Sequence, residues 1–142
     1  MKNLFYIISL IICVFLTACG QDVNNRIIGE NDVYKKGEKA MYEQITAENA
    51  KKIMEEGEDF IVLDVREQEE FNTGHIHSAI LIPYTEIETM AEEMLPDKDK
   101  QILVYCRSGR RSKIAAETLA GLGYTNVKDF GGIIDWPYEV EK

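Results

Sequence analysis

Short apolar runs alternate with polar segments along the chain after residue 40. Runs rich in branched and aromatic residues predict strands at 42–45, 60–63, 79–82, 101–105 and 126–130. The continuous apolar character of 60–63 and 101–105 is typical of strands that are buried on both faces. Helical segments separate most of these runs. This alternation predicts an α/β fold with three layers, in which an open parallel sheet of about five strands is flanked by helices.

Polar caps and apolar spacing predict the helices, which lie at 46–57, 67–71, 85–94 and 113–122. Thr46 is suited to cap the first helix. Thr85 and Glu88 have the spacing of a capping box at the start of the third helix. Gly123 stands where a glycine commonly ends a helix, directly after the fourth. These caps predict where the helices begin and end.

The first residues of the chain have the pattern of an export signal. Met1-Lys2-Asn3 precedes the apolar run Leu4–Leu16, which is shorter than the roughly 20 residues of a membrane span. This run leads into Leu16-Thr17-Ala18-Cys19, which resembles the bacterial lipobox, in which a lipidated cysteine becomes the mature N-terminus. A plain signal peptide and an uncleaved anchor are the alternatives.

These segments predict a chain in three parts. Residues 1–18 form a signal peptide that is cleaved before Cys19, residues 19–40 form a polar tether without sustained periodicity, and residues 41–142 form one domain. The expected location is extracytoplasmic, where lipid on Cys19 anchors the protein to a bacterial cell membrane. The expected state is a monomer.

Charge narrows the choice of partners. The chain has 25 acidic and 16 basic residues and therefore a formal net charge of −9. This balance argues against nucleic acid as a partner, because such binding relies on basic side chains that neutralise phosphates. Against the acidic background, Arg107, Arg110 and Arg111 form a local positive field that is suited to attract a small anion.

Cys106 is the candidate reactive group. Cys13 lies inside the predicted signal and Cys19 is predicted to carry lipid, so the predicted domain has no second cysteine for a disulfide or a CxxC pair. A lone cysteine at a strand end is commonly a small buried hydrophobe. Here it precedes a polar loop and a helix start, where backbone N–H groups can converge on an anion. Together with the nearby arginines, this setting favours a nucleophilic thiolate of lowered pKa.

Several motifs, in order and spacing, resemble those of the single-domain rhodaneses. The resemblance covers about residues 42–138 and rests on Ile61–Glu67, Glu70-Phe71, Gly74–Ile76, Ala79, Ile82-Pro83, Val104–Ser112, Leu122–Tyr124, Gly131–Ile133 and Trp136. It implies a five-stranded α/β fold in which Cys106 takes a sulfane sulfur from a donor such as thiosulfate. The Cys106 persulfide would then pass this sulfur to cyanide or a thiol in a two-step covalent mechanism.

The resemblance also implies the residues around the sulfur. The substrate-binding residues are expected to be Arg107, Ser108, Gly109, Arg110, Arg111 and Ser112. Their amides would hold the negative charge on sulfur, and the arginines would attract the anionic donor. For any single arginine, a structural salt bridge to an acidic neighbour is the alternative. No cofactor is expected.

The length of this loop distinguishes it from a phosphate-binding loop. Cysteine phosphatases and arsenate reductases use C-x5-R, whose arginine clamps an oxyanion. Here the sixth residue after Cys106 is Ser112, and the last arginine, Arg111, is the fifth. The shorter loop favours a single sulfur atom over a tetrahedral anion. A phosphatase-like enzyme and a non-catalytic binding or signalling module on the same fold are the alternative functions, and the intact loop with Cys106 argues against the module.

Asp64 and Arg66 follow the predicted strand 60–63 at its carboxyl end, which in open α/β sheets faces the ligand crevice. They are expected either to support the Cys106 loop or to fix the next turn, with pairing to Glu67 or Glu70. The second, structural role is the favoured interpretation.

His75 fits the Gly-His-Ile motif of the family and is expected to be structural. His75 and His77 stand two positions apart without a third ligand type at suitable spacing, so no metal site is predicted. His77-Ser78 replaces the Pro-Gly that is usual in the family, and the turn there is expected to differ. Trp136 and Tyr138 are expected to be packing residues.

Overall fold

The computed structural model describes residues 41–57 and 59–142, all of which belong to one compact unit. The strands are β1 Glu43–Gln44, β2 Phe60–Asp64, β3 Ala79–Leu81, β4 Gln101–Cys106 and β5 Val127–Gly132. The α-helices are α1 Ala47–Glu56, α2 Gln68–Thr73, α3 Ile87–Met94 and α4 Arg110–Gly121, and a 3₁₀ helix follows at Ile133–Asp135. The predictions for residues 1–18, for residues 19–40 and for lipid on Cys19 lie outside the described residues. Within the described ranges, no helix is long and apolar enough to cross a membrane.

All strands are parallel, and their order in the sheet is β1-β5-β4-β2-β3. The adjacent inner strands β4 and β2 pair with Leu63 opposite Val104. Because parallel strands end at one edge, Asp64 and Cys106 both lie at the carboxyl edge of the sheet. The predicted five-stranded, open parallel sheet is confirmed.

Successive residues of the inner strands alternate between two hydrophobic clusters. Leu63 and Val104 belong to the cluster that contains the buried apolar residues of α3 and α4. Val62 and Leu103 belong to the other, which contains the buried residue of α1 and also Trp136. The sheet is thus covered on both faces, and the three-layer arrangement is confirmed.

The caps of the helices agree with the sequence in part. Thr46 caps α1, since its hydroxyl accepts a hydrogen bond from the amide of Asn49 at 3.1 Å. The capping box expected at Thr85 is wrong, because α3 begins after Glu86, which makes no side-chain cap bond. The Glu86 amide already donates to the carbonyl oxygen of Pro83 at 2.8 Å, so the chain is turning where Thr85 would have to act as the cap.

Helix α4 begins three residues earlier than predicted. Gly109 precedes it with φ of 93°, a left-handed conformation that glycine adopts without steric cost, and this turn brings Arg110 into the helix. At the other end, Leu122 caps the helix and Gly123 follows with φ of 92°, as expected from its position. The early start places residues 110–112 in the first turn, whose amides have no partners within a helix.

Candidate active site

The thiol of Cys106 lies at the end of β4, beneath the loop that leads to α4. The residue is 1% exposed, and its Sγ accepts a hydrogen bond from the Gly109 amide at 3.1 Å. Burial raises the pKa of this thiol, but hydrogen bonds from the amides of Ser112, Ser108 and Gly109 and from the Ser112 hydroxyl outweigh that effect. The pKa therefore lies below its ordinary value, and the site favours a thiolate.

Ser112 connects the start of α4 to the sulfur and to β5. It is fully buried as the third residue of the helix, where its amide has no partner within the helix and lies at the positive end of the helix dipole. Its hydroxyl lies 3.0 Å from the carbonyl oxygen of Gly109 and 3.2 Å from that of Gly131. A hydroxyl has a single proton, so it can donate to either carbonyl or to the sulfur, but to one at a time.

The end of β5 forms a wall against the Cys106 loop. Val104 lies opposite Asp129 and Cys106 opposite Gly132, so β5 contains one residue more than β4 between these pairs. Gly131 sits in this bulge with φ of 92°, and its amide donates to Asp129 Oδ1 at 3.0 Å. A Cβ on Gly132 would lie 2.6 Å from the Cα of Ser108, so a side chain there does not fit.

Asp129 and Gly132 were not predicted as site residues. Asp129 has the pattern of an ordinary strand position, yet it is 2% exposed, and its Oδ2 has no hydrogen-bond partner among the described residues. The adjacent glycines Gly131 and Gly132 were the available signal, because two consecutive glycines at a strand end indicate a bulge or a close backbone approach.

Arg111 forms a salt bridge with an acidic neighbour. Its Nη1 donates to Glu70 Oε2 at 2.6 Å and its Nη2 to Glu70 Oε1 at 2.8 Å, while Glu67 Oε1 lies 3.9 Å from Nη1. The bond with Glu70 is the main cause that raises the pKa of Arg111, and it also lowers the pKa of Glu70. Of the two roles left open for the arginines, the structure places Arg111 in the salt bridge.

Arg107 and Arg110 are placed differently. Both are exposed, and within the described part of the chain neither makes an ion pair or a side-chain hydrogen bond. Arg110 is the first residue of α4, where a positive charge is unfavourable next to the helix dipole. Among the described residues, the segment that follows Cys106 in the chain therefore has two exposed cations without an ion-pair partner.

The chain matches the family model described as "Rhodanese-like domain" over residues 46–137. It belongs to the rhodanese-like family. A curated relative from Escherichia coli, named thiosulfate sulfurtransferase PspE, is 40% identical over 73 residues, which are 51% of this chain and 70% of that protein. The chain spans 20% of a longer Candida albicans relative named adenylyltransferase and sulfurtransferase, with 40% identity over 88 residues and 57% of this chain covered. A solved structure described as "rhodanese with anions from E. coli" has a TM-score of 0.56 and 36% identity to this chain. The matched region covers 58% of this chain and 98% of the chain in that structure.

In this rhodanese-like domain, Asp64 and Arg66 form a buried ion pair. Arg66 Nε lies 2.9 Å from both carboxylate oxygens of Asp64, and Nη2 donates to Oδ2 at 2.6 Å and to the Gly74 carbonyl at 2.8 Å. The expected pairing of these residues with Glu67 or Glu70 is wrong. A guanidinium that is 5% exposed needs an equally buried partner, and Glu70 is bound to Arg111.

Tyr105 joins the same buried cluster from β4. Its hydroxyl accepts a hydrogen bond from the Ile76 amide at 3.1 Å. Burial and, after it, the nearby Asp64 carboxylate raise the pKa of Tyr105. Within the described residues, neither Asp64 nor Arg66 bonds the Cys106 loop, so this cluster braces β2, β4 and residues 74–76 against one another.

His75 lies in the contact between α2 and the last residues of the chain. Its ring stacks on Phe71 with centroids 3.8 Å apart, and its backbone exchanges hydrogen bonds of 2.8 Å and 2.9 Å with Glu141. The Glu141 carboxylate also accepts from the Ser78 amide at 2.9 Å. Ser78 has φ of 60°, the one positive value for a non-glycine among the described residues, which is consistent with the altered turn.

Trp136 and Tyr138 pack at the edge of the core rather than at the thiol. Trp136 is 8% exposed, and its ring centroid lies 5.5 Å from that of Phe130 and 4.9 Å from that of Tyr138. These contacts agree with the expected packing role.

Proposed function

We propose that this rhodanese-like protein is a sulfurtransferase that moves a sulfane sulfur through a persulfide on Cys106. The observation that carries the proposal is the buried thiol, whose pKa is lowered because three backbone amides and one hydroxyl outweigh the effect of burial. The sulfurtransferase activity in the name of the E. coli relative supports the same class of reaction. The loop, one residue shorter than a phosphate-binding C-x5-R loop, also suits a single sulfur atom.

The chemistry divides into two nucleophilic steps. The Cys106 thiolate attacks the outer sulfur of a donor such as thiosulfate, the sulfur–sulfur bond of the donor breaks, and sulfite leaves with the electron pair. An acceptor such as cyanide or a thiolate then attacks the outer sulfur of the persulfide and regenerates the Cys106 thiolate. Amides that already face Sγ would stabilise the negative charge on the transferred sulfur, without the need for a cofactor.

A small anion is the donor class that the charges favour. Arg107 and Arg110 are exposed and unpaired within the described residues, beside a thiol in a chain of net charge −9. The solved E. coli rhodanese is described with anions, in line with such a donor. The acidic composition of the chain argues against nucleic acid, which binds to surfaces rich in basic side chains.

Intact mass spectrometry tests the proposal directly. After incubation of the purified protein with thiosulfate, we expect a mass increase of one sulfur atom, which is lost when cyanide is added. The Cys106→Ser variant is the matched control and should stay unmodified. Absence of the adduct on the wild-type protein would contradict the proposal and favour a non-catalytic module, whereas hydrolysis of p-nitrophenyl phosphate would favour a phosphatase.

We also propose that residues 1–18 are removed as a signal peptide and that lipid on Cys19 anchors the protein outside the cytoplasm as a monomer. The support is the apolar run that ends in the lipobox-like Leu16-Thr17-Ala18-Cys19. Membrane fractionation should place the wild-type protein with the membranes and the Cys19→Ala variant in a different fraction. Equal distribution of the two proteins would contradict the lipid anchor.

A further inference from the structure

The three arginines beside Cys106 are not equivalent. Arg111 and Glu70 form a bidentate pair in which the side chains are 16% and 29% exposed, respectively. The two-pronged geometry orients the guanidinium toward α2 as well as neutralising it. Arg107 and Arg110, in contrast, are exposed. Glu70 of α2 therefore neutralises Arg111, one of the three arginines that are expected from the sequence to bind the donor.

Arg111 nevertheless acts electrostatically on the thiol site. Besides Glu70, the negative charge of Cys106 contributes to the raised pKa of the Arg111 guanidinium, so the two groups are within each other's field. Glu67 Oε1, 3.9 Å from Nη1, adds a second negative charge on the same side. Loss of the charge on Glu70 would therefore leave uncompensated a cation that already interacts with the negative charge of Cys106.

We propose that Glu70 is a positioning residue that sets the charge selectivity of the Cys106 site. By binding both terminal nitrogens of Arg111, it leaves the recognition of anionic donors to Arg107 and Arg110. The site is therefore expected to prefer dianionic over monoanionic sulfur donors only moderately. A site with three free arginines would have a stronger preference for the dianion. This inference rests on the proposed sulfurtransferase function and names a determinant of its donor class.

Two donors of the same chemistry and different charge are suitable probes. Thiosulfate is a dianion that gives its outer sulfur to the Cys106 thiolate and leaves as sulfite. Methanethiosulfonate is a monoanion that gives its outer sulfur by the same attack and leaves as methanesulfinate. In both cases one sulfur–sulfur bond breaks, the Cys106 persulfide forms, and the leaving group keeps the electron pair. A change in the ratio of the two kcat/KM values between variants therefore reports the effect of charge.

We expect the Glu70→Gln variant of the full chain to favour thiosulfate over methanethiosulfonate more strongly than the wild type does. The ratio of kcat/KM values should rise by about 3- to 10-fold, as one unit of charge near the site predicts, and added salt should reduce the rise. The change should appear in KM, because it affects attraction of the donor. Glu69→Gln is the matched control: Glu69 is exposed on the same helix, and we expect its ratio to change less than about twofold.

A double variant separates masking of Arg111 from direct binding by Arg111. Glu70→Gln combined with Arg111→Gln removes a neutral pair, so the ratio should stay within about twofold of the wild-type ratio whatever the absolute rates are. A strong loss of thiosulfate preference in the double variant would show that Arg111 contacts the donor, and it would overturn the inference.

Alkylation of Cys106 measures the same charge without sulfur transfer. The rate with the anion iodoacetate, divided by the rate with neutral iodoacetamide, should rise in Glu70→Gln and remain near the wild-type value in Glu69→Gln. Unchanged donor and alkylation ratios in Glu70→Gln would overturn the inference while leaving the proposed function intact. Failure of both donors to load wild-type Cys106 would overturn the proposed function, and the alkylation ratio would still decide whether Glu70 controls the charge of the site.

Discussion

At the scale of single residues, Cys106 shows how the pKa of a buried thiol can be lowered. Removing a thiolate from water is unfavourable, and burial by itself raises the pKa of Cys106. The opposing groups are backbone amides of Ser108, Gly109 and Ser112, together with the Ser112 hydroxyl. Most of these donors belong to the backbone of the loop and of the first turn of α4, so their direction is determined by the loop conformation rather than by side-chain chemistry.

The Ser112 hydroxyl is the one side-chain donor in this set, and its loss should be measurable. We expect Ser112→Ala to raise the pKa of the Cys106 thiol, which lowers the thiolate fraction and slows alkylation by iodoacetamide several-fold at pH 7. The measurement is the alkylation rate as a function of pH. Ser108→Ala is the control, because Ser108 acts through its amide, which alanine retains. Coincident pH profiles for Ser112→Ala and the wild type would disprove the role of the hydroxyl.

At the scale of elements, the site depends on how closely β5 approaches the loop between β4 and α4. The bulge at Gly131 and the absence of a side chain at Gly132 let the two backbones meet, and the Ile134 amide donates to the Arg107 carbonyl at 3.2 Å. The loop leads directly into α4, with Gly109 as the N-cap, and it packs against the end of β5. The conformation of the loop therefore depends on both α4 and β5.

A pair of glycine substitutions tests this contact. Gly132→Ala should destabilise the protein by about 1–3 kcal/mol and slow sulfur loading of Cys106, because the added Cβ meets the loop backbone. Gly121→Ala at the end of α4 meets no atom within 4 Å, and it should stabilise the protein by up to about 1 kcal/mol. Urea denaturation gives the stabilities and intact mass spectrometry the loading. Equal effects of the two substitutions would show that the close approach is unimportant.

At the scale of the whole molecule, two ion pairs connect α2 and the segment after it to the rest of the domain. Glu70 of α2 binds Arg111 of α4, and the buried pair of Asp64 and Arg66 holds the Gly74 carbonyl directly after α2. Both residues of the second pair are buried, and they lie near the buried Tyr105. This short helix contains no buried residue, so these ion pairs position it together with the stacking of Phe71 on His75.

Breaking the buried pair on one side should therefore affect the whole fold. We expect Arg66→Met to reduce the free energy of unfolding by about 3–5 kcal/mol, because it leaves the Asp64 carboxylate buried without its partner. The double variant Arg66→Met with Asp64→Leu should recover much of this loss, since no unpaired charge remains. Urea denaturation of the two single variants and the double variant gives the coupling energy. A double variant as unstable as the sum of the single ones would exclude the pair as the cause.

The local pattern of the chain was sufficient to predict the parallel α/β sheet, the approximate extent of its strands and helices, and Cys106 as the candidate thiol. These features depend on neighbours along the chain, because periodicity, caps and the order of strand, loop and helix are all local properties. The partners of the charged residues were not predictable in this way. Glu70 and Arg111 are 41 positions apart, and either of two nearby glutamates was an equally good candidate for Arg66.

Tertiary structure decided which of the predicted groups act together. It brought the amides of α4 to the sulfur, placed the bulge of β5 against the loop, and separated one neutralised arginine from two exposed ones. The physical reason is that hydrogen bonds and charges act over a few ångströms in space, whatever their separation in sequence. The sequence by itself determined that Cys106 is the candidate thiol, and the packing of α2, α4 and β5 determined the charges and hydrogen bonds that surround it.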